Sequence, residues 1–299
     1  MDSEYIGKIK LDYSCYNGTD SYSDGDIEEE MLKIAKESSP SDYKKIIEER
    51  LSWPVLYHFS ELRENIASWL PINKSHKVLE VGSGCGAITG ALSKMAGEVV
   101  SIDLSKRRCL INAYRHKDVS NLTIKVGNFC DVEKTLTEKF DFICLIGVLE
   151  YGMLYIGTED PFCDFIRILQ KHLAPGGRIV IAIENKLGLK YFAGCREDHL
   201  ATFFSGIEDY PMQKSVRTFS DRGLKDIANQ CGYEDKDIHM YYPYPDYKFP
   251  HTLFSDRRLP KIGELKDNIR NFDNDRLMLF NEKLAFDMII REGRFHEFS

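Results

Sequence analysis

The sequence has no long apolar stretch, no basic tract and no closely spaced pair of cysteines. The start of the chain contains no apolar signal core, and no apolar run reaches the length that spans a membrane. Lys and Arg number 40 against 47 Asp and Glu, so the net charge is −7. Because nucleic acids are bound mainly by neutralising their phosphates, this charge disfavours a nucleic-acid partner. We therefore expect a cytoplasmic protein without a membrane span.

The eight cysteines are scattered through the chain, and no two of them form a Cys-x-x-Cys pair. Cysteine-based zinc sites depend on such spacing, so the sequence predicts no metal site. Several of the cysteines lie in apolar runs, where a thiol behaves as a small buried hydrophobe. This cysteine usage fits a reducing compartment.

From about residue 76 onwards, short apolar runs alternate with segments of helical periodicity. The runs predict five strands: Lys77–Val81, Glu98–Asp103, Leu122–Val126, Phe140–Ile146 and Arg178–Glu184. The intervening segments predict helices at Ala87–Ala96, Lys106–His116, Pro161–His172 and from an N-cap at Ser220 to about Gln230. Strands that alternate with helices imply an α/β fold, with a mostly parallel sheet covered by helices on both faces.

The rest of the chain predicts additions to this core. Two further strand-like runs are Asp237–Tyr242 and Leu284–Arg291. Before residue 76 the sequence is helical in pattern, and the predicted helices are Ile27–Ser38, Ser41–Leu51 and Val55–Trp69. We therefore predict an N-terminal helical cap over residues 1–72 and a second domain over 73–299. That domain carries insertions near 185–217 and 243–283, and long connections of this kind are frequently functional.

The segment from Glu80 to Gly86 carries the strongest chemical signal in the chain. An apolar strand runs into a turn with glycine at positions 82, 84 and 86, and the next strand ends in Asp103. Glycines let the backbone approach a ligand closely, and a carboxylate in that position accepts both hydroxyls of a ribose. The pattern predicts a cofactor that contains adenosine. Read as Gly-x-Gly-x-x-Ala, the same glycines also permit a dinucleotide.

The full pattern Glu-x-Gly-x-Gly-x-Gly, with Asp103 after the next strand, resembles the class I S-adenosylmethionine-dependent methyltransferases. Three further segments resemble that family in order along the chain. Gly127-Asn128-Phe129 resembles the loop beside the adenine, Ile146–Tyr151 the segment facing the methionine moiety, and Leu173–Arg178 the turn into strand five. The resemblance covers roughly residues 76–291. It implies a Rossmann-like sheet of seven strands, mostly parallel, with the last two strand-like runs forming an antiparallel edge.

The resemblance also implies S-adenosylmethionine as the cofactor. The candidate cofactor-binding residues lie at the ends of the strands, in the loops that follow them and on the helix before strand one: Glu80, Gly82, Ser83, Gly84, Gly86, Asp103, Leu104, Asn128, Phe129, Ile146, Gly147 and Tyr57. Two of them have a simpler interpretation. Asn128 is also a residue type that caps a turn, and Tyr57 is equally a packing residue.

Methyl transfer to a hydroxyl benefits from a group that accepts its proton. The densest ionisable cluster near the expected acceptor site is Arg196–His199, in the insertion after strand five. His199 titrates near neutrality and is the predicted catalytic base, with Glu197 or Asp198 orienting it. The alternative is that these residues are exposed loop charges.

These observations predict a methyltransferase that acts on a small or medium polar acceptor, with an oxygen nucleophile. The segment Glu184–Phe192 is similar to one in bacterial methyltransferases associated with glycans and the cell envelope, which suggests a sugar or glycan precursor. The tyrosine-rich segment Tyr241–Lys248 suits the lining of a cleft for flat rings or sugars. Three alternatives remain open: an N-methyltransferase for a small amine, an NAD-dependent oxidoreductase, and a catalytically silent methyltransferase-like binding protein.

Overall fold

The computed structural model describes residues 3–20, 25–213, 215–265 and 278–299. Part of the predicted insertion 243–283 therefore lies outside the described residues. The strands are β1 (Ser3–Ile6), β2 (Ile9–Cys15), β3 (Lys77–Val81), β4 (Glu98–Asp103), β5 (Leu122–Gly127), β6 (Phe140–Ile146), β7 (Leu173–Ala182), β8 (Tyr241–Tyr244) and β9 (Thr252–Ser255). The α-helices are α1 (Ile27–Glu37), α2 (Tyr43–Arg50), α3 (Trp53–Phe59), α4 (Thr89–Met95), α5 (Lys106–Arg115), α6 (Phe129–Val132), α7 (Gly152–Tyr155), α8 (Pro161–Gln170), α9 (Leu189–Phe192), α10 (Asp221–Gln230), α11 (Glu282–Arg291) and α12 (Phe295–Phe298).

Seven strands form one sheet in the order β1-β2-β5-β4-β3-β6-β7. The pairs β2·β5, β5·β4, β4·β3 and β3·β6 are parallel, and β1·β2 is antiparallel. The central strands are apolar along nearly their whole length because a parallel sheet is covered on both faces. The prediction of a seven-stranded, mostly parallel sheet with an antiparallel edge is confirmed.

The antiparallel edge comes from the start of the chain, and the prediction that its end supplies this edge was wrong. β1 and β2 form a hairpin whose two-residue turn contains Gly7 at φ +59, the left-handed conformation that such turns require. β2 then pairs with β5, with Leu11 opposite Ile124. The first residues of the predicted helical cap are therefore a hairpin of the main sheet.

The run Leu284–Arg291, predicted as a strand, lies in helix α11. Asn281 caps this helix, accepting a hydrogen bond from the backbone N–H of Leu284 at 3.1 Å. Phe286 and Ile289 are buried, whereas Leu284 and Met288 are exposed. The burial follows the helical period, so the apolar run serves a helix face rather than a strand. The other predicted run, Asp237–Tyr242, overlaps β8, which pairs with β9 in a separate two-stranded sheet.

The helices α1, α2 and α3 pack together over the turn that follows β3. Met31 of α1, Tyr43 of α2 and Phe59 of α3 form a buried apolar cluster that also contains Cys85 and Ile111. The rings of Tyr43 and Phe59 meet edge to face, with centroids 4.7 Å apart. This cluster fixes the N-terminal helices against the glycine turn.

The chain divides into two compact units. The first comprises Met1–Val148 and Ile168–Ile181, and the second comprises Leu149–Arg167 and Ala182–Ser299. This division differs from the predicted boundary between residues 72 and 73, which remains a prediction about domain organisation. Among the residues that the structure describes, no helix combines the length and the apolar character needed to cross a membrane.

Candidate active site

The glycine turn after β3 is closed at two of its glycines and open at the third. All three adopt left-handed backbone conformations, with φ of +73 at Gly82, +51 at Gly84 and +77 at Gly86. A Cβ at Gly82 would collide with Val148, and one at Gly86 with Asn112. A Cβ at Gly84 would meet nothing within 4 Å in the described structure. The first and last glycines are therefore needed for packing, and the backbone at Gly84 is accessible to a ligand.

Asp103 stands at the end of β4 beside this open part of the turn. The backbone N–H of Gly84 donates to its Oδ2 at 2.7 Å, and that of Ser105 donates to its Oδ1 at 2.9 Å. Burial raises the pKa of Asp103, while the nearby Arg108 and the two backbone hydrogen bonds lower it. Each carboxylate oxygen accepts more than one hydrogen bond, so both retain capacity for the hydroxyls of a ribose.

Ser83, between the first two glycines, has a buried hydroxyl oxygen for which the described structure offers no hydrogen-bond partner. Buried polar atoms are nearly always hydrogen-bonded in folded proteins. An unsatisfied hydroxyl in a turn that is open at its neighbour Gly84 indicates a position where a polar ligand supplies the missing contact.

Glu80, on β3, is buried and joins three elements around the turn. The hydroxyls of Thr89 on α4 and Ser101 on β4 each donate to its Oε2 at 2.6 Å. The side-chain amide of Asn112 on α5 donates in turn to the Thr89 hydroxyl at 3.1 Å. Burial raises the pKa of Glu80 to about 7 in spite of the two hydroxyl hydrogen bonds. These contacts make Glu80 an internal support of the turn.

The raised pKa of Glu80 predicts that the stability of the fold depends on pH. The unfolded chain releases this proton near pH 4.5 and the folded chain retains it to about 7. The folded state thus binds more protons in this window, and the free energy of unfolding falls as pH rises through it. At 1.36 kcal/mol per pKa unit the loss is roughly 3 kcal/mol. We expect Glu80→Gln to remove this component; urea unfolding at pH 5 and pH 7 measures it. The same fall in both proteins would contradict the prediction.

The second compact unit contains a different polar cluster, around His199. Its Nδ1 lies 2.9 Å from Glu197 Oε1, and its Nε2 lies 3.4 Å from Glu150 Oε1 and 3.8 Å from Glu184 Oε2. The ring of Tyr151 meets the imidazole edge to face, with centroids 5.6 Å apart. Glu150, Glu184 and Glu197 are all buried. Three carboxylates from separate segments of the chain therefore surround a single imidazole.

The carboxylates control the protonation of His199. Burial alone lowers the pKa of an imidazole, but Glu150, Glu197 and Glu184 outweigh it and raise the pKa of His199 to about 11. Burial opposes ionisation of Glu197, yet the hydrogen bonds from His199 and from the backbone of Leu200 lower its pKa. In this arrangement His199 holds its proton at neutral pH.

Glu197, rather than Asp198, is the residue that orients His199. Its Oε2 accepts hydrogen bonds from the backbone N–H groups of His199 and Leu200 at 2.8 and 2.7 Å, and its Oε1 also lies 3.3 Å from the hydroxyl of Tyr210. Asp198 instead bonds to Tyr191 and contacts Lys248. The sequence predicts that either Glu197 or Asp198 orients His199, and in the structure only the contacts of Glu197 fit that role.

Residues 79–179 of this chain match the model of a protein family described as a methyltransferase domain. This span contains the glycine turn, Asp103 and the strands β4 to β6. Residues 79–179 are therefore similar to a methyltransferase domain, which confirms the resemblance for this span.

Curated relatives share moderate identity with the chain. A mitochondrial ubiquinone biosynthesis O-methyltransferase of Dictyostelium discoideum is 30% identical over 129 residues, 39% of this chain and 37% of that protein. An uncharacterized methyltransferase of Staphylococcus carnosus is 25% identical over 208 residues, 68% of this chain and 90% of that protein. The structure of Haemonchus contortus phosphoethanolamine N-methyltransferase 1, with phosphoethanolamine and S-adenosylhomocysteine, has a TM-score of 0.45 and 14% identity, covering 76% of this chain and 46% of that one. The chain thus spans little more than a third of the Dictyostelium protein.

The remaining candidate residues of the methyltransferase domain lie at the ends of its strands. Asn128 is the N-cap of α6, where its Oδ1 accepts the backbone N–H of Cys130 at 2.9 Å. Phe129 follows it and is buried. Ile146 ends β6, and Gly147 has a φ of +71. Leu104 lies directly after Asp103. The side-chain carbonyl oxygen of Asn128 therefore caps the turn, as the simpler interpretation of this residue predicts.

Tyr57 belongs to an aromatic group on α3. Its ring stacks on Trp53 at 6.0 Å between centroids, and the guanidinium of Arg63 lies 4.2 Å from the Tyr57 ring centroid. Arg115 joins this helix to the glycine turn because its guanidinium donates both to the carbonyl of His58 and, at 3.4 Å, to that of Cys85. The structure thus gives Tyr57 a packing role, and contact with a cofactor remains a prediction.

Proposed function

We propose that this methyltransferase transfers the methyl group of S-adenosylmethionine to an oxygen of a hydroxylated acceptor, such as a sugar or a glycan precursor. In the cofactor part of the proposal, Asp103 accepts the ribose hydroxyls and the open backbone at Gly84 lies against the cofactor. The unsatisfied hydroxyl of Ser83 supports a polar contact at the same place. The other residues that we propose around the cofactor are Glu80, Gly82, Gly86, Leu104, Asn128, Phe129, Ile146, Gly147 and Tyr57.

A cavity in the second unit carries the acceptor part of the proposal. It has a volume of about 150 Å³, and tyrosines at 241, 242, 244 and 247 line it together with acidic side chains. Three of the lining acids are paired with lysines: Asp221 with Lys225 at 2.8 Å, Asp246 with Lys190 at 3.6 Å and Glu184 with Lys248 at 2.8 Å. Paired carboxylates keep lone pairs for hydroxyl donors while their charge is offset. Such a lining favours a neutral hydroxylated ring over a cationic amine.

The chemistry requires little of the protein beyond alignment. The acceptor oxygen attacks the methyl carbon in line with the bond to sulfur, and the sulfonium leaves as a neutral thioether. Orientation of this kind lowers a barrier by about 7–11 kcal/mol. The hydroxyl proton needs an acceptor, for which the sequence proposes His199. Because the carboxylates around His199 favour its protonated form, we propose that the hydroxyl proton passes instead to a carboxylate that lines the cavity.

The proposal is tested by methyl transfer from labelled S-adenosylmethionine to separate panels of sugars and small amines. We expect a labelled neutral ether from the sugar panel. A cationic product from the amines alone would favour the N-methyltransferase. Cofactor binding without transfer to either panel would favour a silent binding protein, and calorimetric binding of NAD alone would favour the oxidoreductase.

A variant pair tests the cavity. Tyr241 lines it and is 43% exposed, whereas Tyr5 on β1 is an exposed tyrosine of the first unit. We expect Tyr241→Ala to raise the KM of the acceptor several-fold, with no change in cofactor affinity, because a stacking surface for the acceptor is lost. Tyr5→Ala should change neither quantity. Equal effects of the two substitutions would remove the cavity from the proposal.

A further inference from the structure

We propose that Glu150, Glu184 and His199 bind a divalent transition-metal cation inside the second unit. Each residue offers one ligand atom, and the three atoms lie within 4.8 Å of one another. His199 Nε2 is 3.4 Å from one glutamate and 3.8 Å from the other. Ligands bound about 2.0–2.2 Å from an ion are separated from each other by about 3–3.5 Å. Small side-chain movements therefore bring the three atoms into a coordination shell.

The partner of the other imidazole nitrogen supports this assignment. A metal-binding histidine nearly always donates its second ring N–H to a carboxylate or carbonyl, which fixes the tautomer and the ring orientation. His199 Nδ1 lies 2.9 Å from Glu197 Oε1. Glu197 is itself held by the two backbone N–H groups that donate to its Oε2. A divalent ion that displaces the Nε2 proton would bind the Nε2 lone pair on the side of the ring that faces the carboxylates of Glu150 and Glu184.

Two buried oxygens at this point lack the hydrogen bonds that a metal-free cluster would need. Oε2 of Glu150 and Oε2 of Glu184 are inaccessible to solvent, and neither has a hydrogen-bond partner among the described residues. Glu150 is 1% exposed and Glu184 5%. The other oxygen of Glu184 is already used by Lys248 and the hydroxyl of Tyr247. A cation between the glutamates would satisfy both unpaired oxygens.

The net negative charge of the cluster also favours a bound cation. Within the described part of the chain, five carboxylates meet two lysines and one imidazole: Glu150, Glu184, Glu197, Asp198 and Asp246 with Lys190, Lys248 and His199. The cluster is net negative even when the imidazole carries a proton. Buried charges persist when they are paired or coordinate a metal, and a divalent ion offsets the excess.

The donor set indicates the class of metal. Imidazole nitrogen suits zinc, iron and related transition ions, whereas magnesium and calcium prefer shells made only of oxygen. One nitrogen and two carboxylates therefore favour Mn²⁺, Fe²⁺ or Zn²⁺ over the hard cations. Three protein ligands leave coordination positions for exogenous oxygens, as in catalytic zinc sites. The inference does not depend on which acceptor the enzyme methylates.

Mn²⁺ titration of the full chain, after treatment with a chelator and its removal, tests the proposal. We expect the free-ion electron paramagnetic resonance signal to stay suppressed until about one equivalent has been added. Zn²⁺ should displace the bound Mn²⁺, and excess Mg²⁺ should not. Absence of saturable uptake would overturn the proposal and leave the cluster as a carboxylate-bound imidazolium.

Variants and a wild-type measurement locate the ion. Glu150→Gln and His199→Ala should lose uptake, and Glu197→Gln should weaken it by about 10–100-fold because it only positions the histidine. The matched control is His172→Ala, since His172 is also buried against a carboxylate, with Nε2 3.0 Å from Glu133. Should the cluster variants fail to fold, Mn²⁺ added to the wild type must broaden the ring resonances of His199 well before those of His172. Equal broadening, or equal uptake by the folded variants and the control, would overturn the site.

Discussion

Replacing Asp103 by alanine is expected to weaken S-adenosylmethionine binding about tenfold or more. The carboxylate is the ribose acceptor in the proposed function, and a hydrogen bond to a charged group contributes about 1.5–3 kcal/mol. A loss of 1.4 kcal/mol corresponds to a factor of ten in affinity. Calorimetric titration of the wild type and Asp103→Ala measures the change. Unchanged affinity would show that the ribose assignment is wrong.

The same carboxylate also holds the glycine turn through the N–H of Gly84, so the control must separate binding from folding. Asp103→Asn keeps one oxygen that accepts this hydrogen bond and lowers the capacity to accept ribose hydroxyls. We expect its thermal unfolding midpoint to stay closer to that of the wild type than that of Asp103→Ala does, while its affinity for the cofactor falls. Asp131→Ala removes an exposed acid that pairs with Lys134 and should alter neither quantity.

The largest expected effect on stability belongs to Glu28 of α1. Its carboxylate is fully buried and lies 2.8 Å from Nε of Arg108, whose side chain is only 11% exposed. Removing one partner of a buried ion pair leaves an uncompensated charge and costs about 3–5 kcal/mol. We expect Glu28→Ala to lower the free energy of unfolding by this amount, as measured by chemical denaturation.

The neighbouring residue provides a matched control. Glu29 pairs with Arg107 at 3.3 Å, and both side chains are largely exposed, at 68% and 42%. Exposed pairs contribute about 0–1 kcal/mol, so Glu29→Ala should change the stability little. The double variant Glu28→Leu/Arg108→Met removes both buried charges and should be more stable than Glu28→Ala alone. Equal losses for Glu28→Ala and Glu29→Ala would contradict the burial argument.

The central strands were predictable because both of their faces are buried. Lys77–Val81, Glu98–Asp103 and Phe140–Ile146 were predicted with the bounds that the structure has. Each is a short apolar run that ends at a turn or a charged residue, which leaves little freedom in where the strand stops. The predicted N-cap of α10 is also confirmed, since the hydroxyl of Ser220 accepts a hydrogen bond from the backbone N–H of Gly223 at 3.1 Å.

The first strands of the sheet and the helix α11 were less predictable because fewer of their residues are buried. In β2, Ile9 and Leu11 are buried and alternate with more polar residues, a strand signal that the short, charged surroundings obscured. In α11 the run Leu284–Arg291, in which six of the eight residues are apolar, is compatible with a strand and with a helix face. The exposure of Leu284 and Met288, together with the N-cap at Asn281, shows that the run is a helix.

The candidate site was predicted in the parts that lie close together in sequence. The glycine turn and the contact between Glu197 and His199 are local, and spacing along the chain suffices to find them. Glu150 and Glu184 contact His199 from two other segments of the chain, and a single sequence does not indicate that contact. The expectation of no metal site rested on cysteine spacing, which says nothing about glutamates brought together by the fold.

The N-terminal hairpin has a consequence for the order in which the nascent chain acquires its structure. β2 pairs with β1 on one side and with β5 on the other, and it leaves the ribosome long before Leu122–Gly127 of β5 exists. During that interval its backbone donors and acceptors on one side have no strand to pair with. Lys10 and Asp12 are placed along this strand, and the latter meets Lys125 at 3.0 Å once β5 arrives. Charged side chains on an unpaired strand edge oppose pairing with other chains. The charged residues of β2 therefore protect this edge until β5 pairs with it.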